Sequence, residues 1–587
     1  MVEDMSGGAK RIPRLGYEGG QWVLAIMVLA LILRTVYLLQ AREHLYFNAY
    51  SDFLHYRPWA EDIVRGQPGP PVFFLGPLYP YMLAFFYRIF GPRPEVVLWF
   101  QVLLGSASCG LIYLLGRMVF SRAVGLLAAL MGALYVVEIF YEGALLTTTV
   151  LYVLNLAFLV SILWALGRRR WFFWVIPGLL LGLSALGRAN VLIFLPFLVL
   201  GIFLLSRGGG KREIRWMSAS LALLLGVFVV IAPVTVRNVV VGHDLVVITS
   251  NLGLNFFVGN NPDAPGFYQR PKGLDVVRDF SGAKIAGWLT GRELSPSQVS
   301  RFWLQRALAF VRAQPGAFLR LGLKKLLFFW NAYEIPQAEN LEFSKRFIPL
   351  LRWPLLTFSL LGPLGLLGMA LSLGQWRRIY FPVTFVLSLM GITVLFFVIS
   401  RLRLQVCSVL MVFAAYALIW LWERLRARKV QQLALAIVAL IPLIMLVNWP
   451  HPALNSAKFL AISHNLLAKH FLRKGDLQGA YGEFERAVAV SPHLGEAYVT
   501  LADLNIVQGR LDEALDLCEK ALQVDPQIRV VHLNLGNLYA QKGMWDEAIT
   551  EYRAEIKASP YDVKAHEALS RALEEQEKLS GGQLPDR

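Results

Sequence analysis

Arginine and carboxylate side chains carry the chemistry this sequence offers. Arg188, Arg237, Arg401 and Arg403 each stand at the end of a long apolar run. A guanidinium stays charged and presents a planar fork that grips phosphate at two points. At a membrane surface such residues suit a bound anion, and the plainer role for each is snorkelling to lipid headgroups. Arg401 and Arg403 share one end, where two cations without an anion are costly. Asp52 lies in the stretch Ser51-Asp52-Phe53-Leu54-His55-Tyr56-Arg57-Pro58-Trp59-Ala60-Glu61-Asp62, just after the first apolar run. A carboxylate there takes a proton from a nucleophile within hydrogen-bond reach; its plainer role is a helix cap or a solvated loop charge. Arg34 falls inside the first apolar run, where a charge is a functional candidate by default.

The elements that must position these residues follow from composition. Of 587 residues, 56% are hydrophobic and 17% charged, against about a quarter charged in ordinary soluble domains. One soluble domain and a disordered chain are both excluded. Apolar runs of bilayer length fall at about 22–40, 96–116, 123–141, 145–166, 171–187, 189–206, 216–236, 347–373, 380–399, 404–422 and 430–449. The fold class is all-α, with about eleven spans. The stretches 77–90 and 320–331 are too short to span and read as interfacial helices.

Lys10, Arg11 and Arg14 precede the first span, so the N-terminal segment 1–21 is expected in the cytoplasm, with the first span as an anchor. Eleven spans then put Arg117 and Arg122, Arg168 to Arg170, Arg377 and Arg378, and Arg424 to Lys429 on that same side. The segments 41–95 and 237–346 and everything from 451 onward lie outside. Residues 451–587 hold 15 Lys+Arg and 20 Asp+Glu, which leaves 42 and 20 for residues 1–450. The net charge of +17 is therefore an orientation signal from short basic loops, and nucleic acid is not an expected partner. Gly208-Gly209-Gly210-Lys211 lacks the spacing of a phosphate loop and reads as a linker. Cys109, Cys407 and Cys518 form no CxxC and no Cys/His cluster, which argues against disulfides and zinc.

The C-terminal region is periodic. Ser491-Pro492, Asp525-Pro526 and Ser559-Pro560 recur every 34 residues, as do Gly475, Gly509 and Gly543, and Ala480, Ala514 and Ala548. Paired helices of this period resemble tetratricopeptide repeats: three over about 459–560, then a capping helix over 562–578, within a domain at 451–587. Such a solenoid offers a concave surface for a peptide or partner protein; the plainer role is a rigid cap over the membrane domain.

The Asp52 stretch, followed by Gly76-Pro77-Leu78-Tyr79-Pro80-Tyr81, resembles the GT-C glycosyltransferases of family 39, which include the protein O-mannosyltransferases and the aminoarabinose transferases of lipid A. The shared pattern is D-x3-Y-x3-A-x5-G after the first helix, then P-L-Y-P-Y. Gly182-Leu183-Ser184-Ala185-Leu186-Gly187-Arg188 resembles a further family segment. Pro233 to Asn238, Asn251 to Phe256, Gly259-Asn260-Asn261-Pro262, Trp330 to Glu334 and Arg401 to Leu404 look like a bacterial branch that often carries tetratricopeptide repeats. The resemblance covers about 20–450, making 22–450 a GT-C-like transmembrane domain.

The resemblance implies a polyprenyl-phosphate sugar donor as co-substrate, a protein, glycan or lipid acceptor, and inversion at the anomeric carbon. It assigns the general base to Asp52. Family members often carry a second acid near the fourth span; here Glu138 and Glu142 stand nearby, with Thr147 to Thr149 where the acid is expected, and Glu142 is the candidate. The leaving phosphate needs cations more than a general acid, which gives Arg188, Arg237, Arg401 and Arg403 a donor-binding role. No cofactor is demanded; a divalent metal, used by some GT-C relatives between two carboxylates, stays open, and His55 is no more than an isolated neighbour of Asp52. The implied location is a bacterial inner membrane with the repeats outside, where they recruit an acceptor or partner protein. The competing functions are an oligosaccharide ligase using a pyrophosphate-linked glycan, a transporter of lipid-linked sugars and a tetratricopeptide scaffold.

Overall fold

A computed structural model describes residues 17–581 apart from 46–47, 49–51, 68, 169, 207–215, 272–273, 275–278, 455, 492–494, 525–527, 529–530 and 561. Lys10, Arg11, Arg14, the Gly208–Lys211 linker and the repeat prolines Pro492 and Pro526 lie outside the described residues. Among the described residues the chain is helical, with β structure confined to isolated bridges at Tyr135–Leu356 and Phe267–Val398.

The membrane-domain helices are α1 (Tyr17–Ala41), α2 (Phe53–Val64), α3 (Leu78–Phe90), α4 (Pro94–Val119), α5 (Arg122–Leu134), α6 (Val136–Glu142), α7 (Thr148–Leu166), α8 (Val175–Gly187), α9 (Leu195–Ser206), α10 (Trp216–Gly242), α11 (Leu252–Gly259), α12 (Ala283–Thr290), α13 (Pro296–Ala313), α14 (Pro315–Trp330), α15 (Leu341–Ser344), α16 (Phe358–Leu371), α17 (Trp376–Leu395), α18 (Ser400–Arg426) and α19 (Val430–Asn448). Among the described residues 7 helices are long and apolar enough to cross a membrane: α1, α4, α7, α10, α17 with the turn before it, α18 and α19. Shorter apolar helices occupy the other four expected spans, at Arg122–Leu134, Trp171–Gly187, Ala189–Leu205 and Phe358–Leu371.

Two expected spans are interrupted. The run 123–141 divides into α5 and α6 at Tyr135, whose extended backbone (φ −77°, ψ 107°) lies beside Leu356; Leu356 N–H bonds the carbonyl of Leu134, and Val136 N–H that of Leu356. The run 347–373 is helical as α16 only from Phe358, because Trp353 precedes Pro354 and takes ψ 156°, the extended state that proline imposes on its predecessor. The two short apolar stretches form helices that are apolar on the exposed side as well: α3 exposes Tyr81, Phe85 and Ile89 and buries Tyr79, Leu83 and Tyr87, while α14 exposes Leu319 and Leu323.

The core wraps around α18, which has 72% of its apolar window buried, whereas peripheral α19 has 11%. The solenoid comprises the helix pairs α20 (Ser456–Arg473) and α21 (Leu477–Val490), α22 (Gly495–Val507) and α23 (Leu511–Val524), α24 (Val531–Gln541) and α25 (Trp545–Ala558), then α26 (Val563–Gly581). Gly475, Gly509 and Gly543 turn each pair at φ +79°, +75° and +75°, a region that only glycine enters freely. Ala480, Ala514 and Ala548 are fully buried, where a larger side chain would force the paired helices apart.

Candidate functional site

Segments far apart in sequence meet at one cavity of about 170 Å³, lined by Asp52, Tyr56, Thr147, Arg188, Arg270 and Arg401 among others. Asp52 is the residue before α2, and its carbonyl accepts the N–H groups of His55 and Tyr56. Its carboxylate makes no capping bond, so it is free for the cavity. There it pairs with Arg401 Nη1 at 3.0 Å, with 18% of the Asp52 side chain exposed and 7% of the Arg401 side chain. Arg401 stands in the first turn of α18, and its Nε is buried with no hydrogen-bond partner among the described residues.

Arg188 follows the end of α8 in extended backbone (φ −158°, ψ 107°), which turns its side chain out of the helix and onto the cavity. Two guanidinium groups on one small cavity repel each other and draw an anion between them. Arg270 adds a third. Its guanidinium donates to Tyr268 Oη at 3.1 Å and to the carbonyls of Asp279 and Phe280 at 3.3 and 2.8 Å. No pattern in the sequence marks Arg270, since it sits in the middle of a long segment between apolar runs and away from any run's end.

The aromatic wall is as specific as the charges. His55 stacks on Phe280 with ring centroids 3.7 Å apart. Burial holds the His55 imidazole below its ordinary 6.5, against the pull of Asp52 and with the push of Arg270. Burial, reinforced by Asp52, raises the Tyr56 phenol, so it stays protonated as a donor. Gln337 also lines the cavity, and its buried Oε1 has no partner among the described residues. Glu339, close by, is 2% exposed, and burial raises its carboxyl despite the nearby Arg401. A smaller pocket of about 30 Å³ shares Arg188 and Asn190 with the cavity. It runs along a polar chain in which Ser184 Oγ donates to Asn155 Oδ1 at 2.7 Å and Asn155 Nδ2 to Gln405 Oε1 at 2.9 Å.

The other expected site residues lie elsewhere. Glu142 is fully buried against Arg34, whose Nε donates to its Oε1 at 2.7 Å, while Arg34 Nη2 reaches Glu138 at 3.3 Å. Arg403 pairs with Glu334 at 2.8 Å and lies 3.8 Å from the ring centre of Phe358. Arg237 donates to the carbonyls of Pro71 and Gly69 at 3.0 and 3.3 Å and covers the ring of Phe73 at 4.1 Å. These three tie the scaffold together and do not line the cavity. Among the described residues no three His, Cys, Asp or Glu side chains converge as metal ligands would.

Residues 71–236, which supply Gly76, Thr147 and Arg188 to the cavity, match the family described as dolichyl-phosphate-mannose-protein mannosyltransferase. The likeness to this family covers residues 71–236, a little over a quarter of the chain. Residues 471–530 and 506–573 match the tetratricopeptide repeat, so the mannosyltransferase-like domain is joined to a repeat module. Among curated proteins none matches the chain. Solved structures that resemble it include the Archaeoglobus fulgidus oligosaccharyltransferase tethered to an acceptor peptide containing the NVT sequon, with 15% identity, TM-score 0.39, and coverage of 84% of this chain and 58% of the other. The archaeal oligosaccharyltransferase AglB from the same organism, in complex with an inhibitory peptide and a dolichol-phosphate, aligns at 15% identity and TM-score 0.39, over 80% and 60%. The chain thus spans less than two thirds of the length of these two oligosaccharyltransferase structures.

Proposed function

We propose that this chain is an inverting membrane glycosyltransferase. It moves one sugar from a polyprenyl-phosphate carrier to a hydroxyl or amine of a protein or glycan acceptor on the outer face of a bacterial inner membrane. The observation that carries this reading is the meeting of one partly exposed carboxylate, Asp52, with Arg188, Arg270 and Arg401 on a single cavity. The acceptor oxygen or nitrogen attacks the anomeric carbon from the face opposite the phosphate, and the carbon–oxygen bond to phosphate breaks as the new bond forms. The acceptor's proton passes to Asp52, and the carrier leaves as polyprenyl phosphate, its growing charge held by the arginines.

The Asp52–Arg401 pair at 3.0 Å gives this reaction an order. A carboxylate neutralised by a guanidinium is a weak base. The donor's phosphodiester offers Arg401 two anionic oxygens for a bidentate grip, so a bound donor draws Arg401 off and frees Asp52 to accept the proton. The donor therefore binds before the acceptor is activated. The repeats, outside the membrane, bring in the acceptor protein or a partner. Glu142, Arg237 and Arg403 hold the framework, given the partners they already have.

The test is transfer by the full-length protein in liposomes supplied with a radiolabelled polyprenyl-phosphate hexose and a membrane extract. Asp52→Asn is expected to lower release of free polyprenyl phosphate roughly 10²- to 10⁴-fold while the donor still binds. Equal turnover by Asp52→Asn rules out its role as base. Donor binding without release, whatever the acceptor, replaces transfer by transport.

A further inference from the structure

The repeat module touches the membrane domain beside segments that wall the cavity, as well as at Phe343 and Arg346. Phe267, next to the cavity residue Tyr268, packs edge-on against Phe459 of α20 with centroids 5.3 Å apart. Asn340, three residues beyond the cavity residue Gln337, donates to Ser463 Oγ at 2.8 Å and to the carbonyl of Phe459 at 3.2 Å. At the other end of the solenoid, Trp288 of α12 lies against His566 of α26 with centroids 4.2 Å apart. Both line a cleft of about 240 Å³ between the outer segment and α26.

These contacts bracket the residues that face the cavity. Arg270 donates to the carbonyls of Asp279 and Phe280 and so closes the outer segment on itself. The Asp279 carboxylate accepts the N–H groups of Lys284 and Ile285 at 3.3 and 3.0 Å, which fixes the first turn of α12. Phe280, between them, stacks on His55, three residues from Asp52. The chain of contacts therefore runs from α26 through Trp288, α12 and Asp279 to Arg270 and Phe280 at the cavity wall.

We propose that Trp288 and His566 are positioning residues for the transfer site. Through α12 they hold Arg270 and Phe280 where the donor phosphate binds, which makes the repeat module a structural part of the site as well as a docking surface. The proposal rests on the cavity being the donor site. A module that merely rests on the membrane domain would have no effect on that cavity.

The test uses the full-length protein in nanodiscs, decaprenyl phosphate as the binding probe, and hydrogen exchange over residues 279–290. Trp288→Ala and His566→Ala are expected to speed exchange there and to weaken decaprenyl phosphate binding roughly two- to tenfold, the worth of one aromatic stack. Trp288→Phe, which keeps a ring, is expected to stay within about twofold of the native protein. Native exchange and native affinity in Trp288→Ala overturn the proposal, as does equal loss in Trp288→Phe. If the native protein binds no decaprenyl phosphate, the donor reading fails; unchanged exchange in Trp288→Ala then sinks the positioning role separately, and faster exchange upholds the clamp.

Discussion

Replacing Arg34 by Met is expected to be the most damaging single change in the membrane domain. Arg34 is fully buried and faces Glu142 at 2.7 Å and Glu138 at 3.3 Å, with those carboxylates 0% and 2% exposed. It also donates to the carbonyls of Ala133 and Gly132 at 3.4 and 3.3 Å. Methionine fills much of the volume but leaves two buried acids and two carbonyls without their cation. Breaking a buried pair in this way costs about 3–5 kcal/mol, because the charge left behind is uncompensated. Glu142→Gln keeps the shape and still accepts a hydrogen bond from Arg34, so its cost is about 1–2 kcal/mol. If the two residues act as a pair, the double variant recovers about 0.5–3 kcal/mol relative to the sum of the single changes. The assay is denaturant unfolding of all four proteins in the same detergent. A native-like Arg34→Met, or strict additivity in the cycle, refutes the reasoning. Glu142→Gln, if folded, is also expected to keep transfer activity, since Glu142 lies off the cavity.

Arg188→Gln and Arg270→Gln are each expected to weaken donor binding by about 1.5–3 kcal/mol, the worth of a hydrogen bond to a charged group, read as a rise in the KM for the lipid donor. Lys325 in α14 is 1% exposed and bonds Asn260 Oδ1 at 2.8 Å. Burial pushes its ammonium down to about 7 from 10.5. The folded value is depressed, so the stability tied to it is complete above pH 10.5 and is lost as the pH falls through about 7. Unfolding free energy should therefore rise between those limits, and Lys325→Met should flatten the slope in a pH series of denaturant titrations. Gly368 of α16 packs directly on the carbonyl of Phe413 in α18. Gly368→Ala, by pushing on backbone, is expected to cost about 1–3 kcal/mol, seen as a lower melting temperature.

What could be read from sequence followed from which forces act locally. The repeat module was legible because each 34-residue unit carries its own turn glycine and crossing alanine, and the same packing problem is solved three times. The apolar helices were legible because length and hydropathy are local properties, although only seven of the eleven expected runs are long enough to cross a membrane among the described residues. The site was legible only in part. Asp52, Arg188 and Arg401 lie at element ends and reach the cavity, but Arg237 and Arg403 show the same signal and are taken by backbone carbonyls and by Glu334. Position at a span end does not fix which way a guanidinium points. Glu142 was found by its place near α7, yet its partner comes from α1, 108 residues earlier, and no local pattern carries that pairing. The break at Tyr135 was equally hidden, because apolar residues flank it on both sides and the reason for it is the backbone of Leu356.

Two short apolar helices have a further consequence for the irregular backbone between them. At 13 and 14 residues, α5 and α16 reach about 20–21 Å, against a hydrocarbon layer of about 30 Å, whereas α8 and α9 are each extended by the turns that run into them. Both short helices stop at the same bridge, Tyr135 at the end of α5 and Leu356 just before α16. Tyr135 is fully buried, and the backbone groups of Leu134, Val136 and Leu356 bond one another. Neither helix end therefore offers unpaired backbone to lipid, so each run can break short of a full span without the cost that an open end would carry in hydrocarbon.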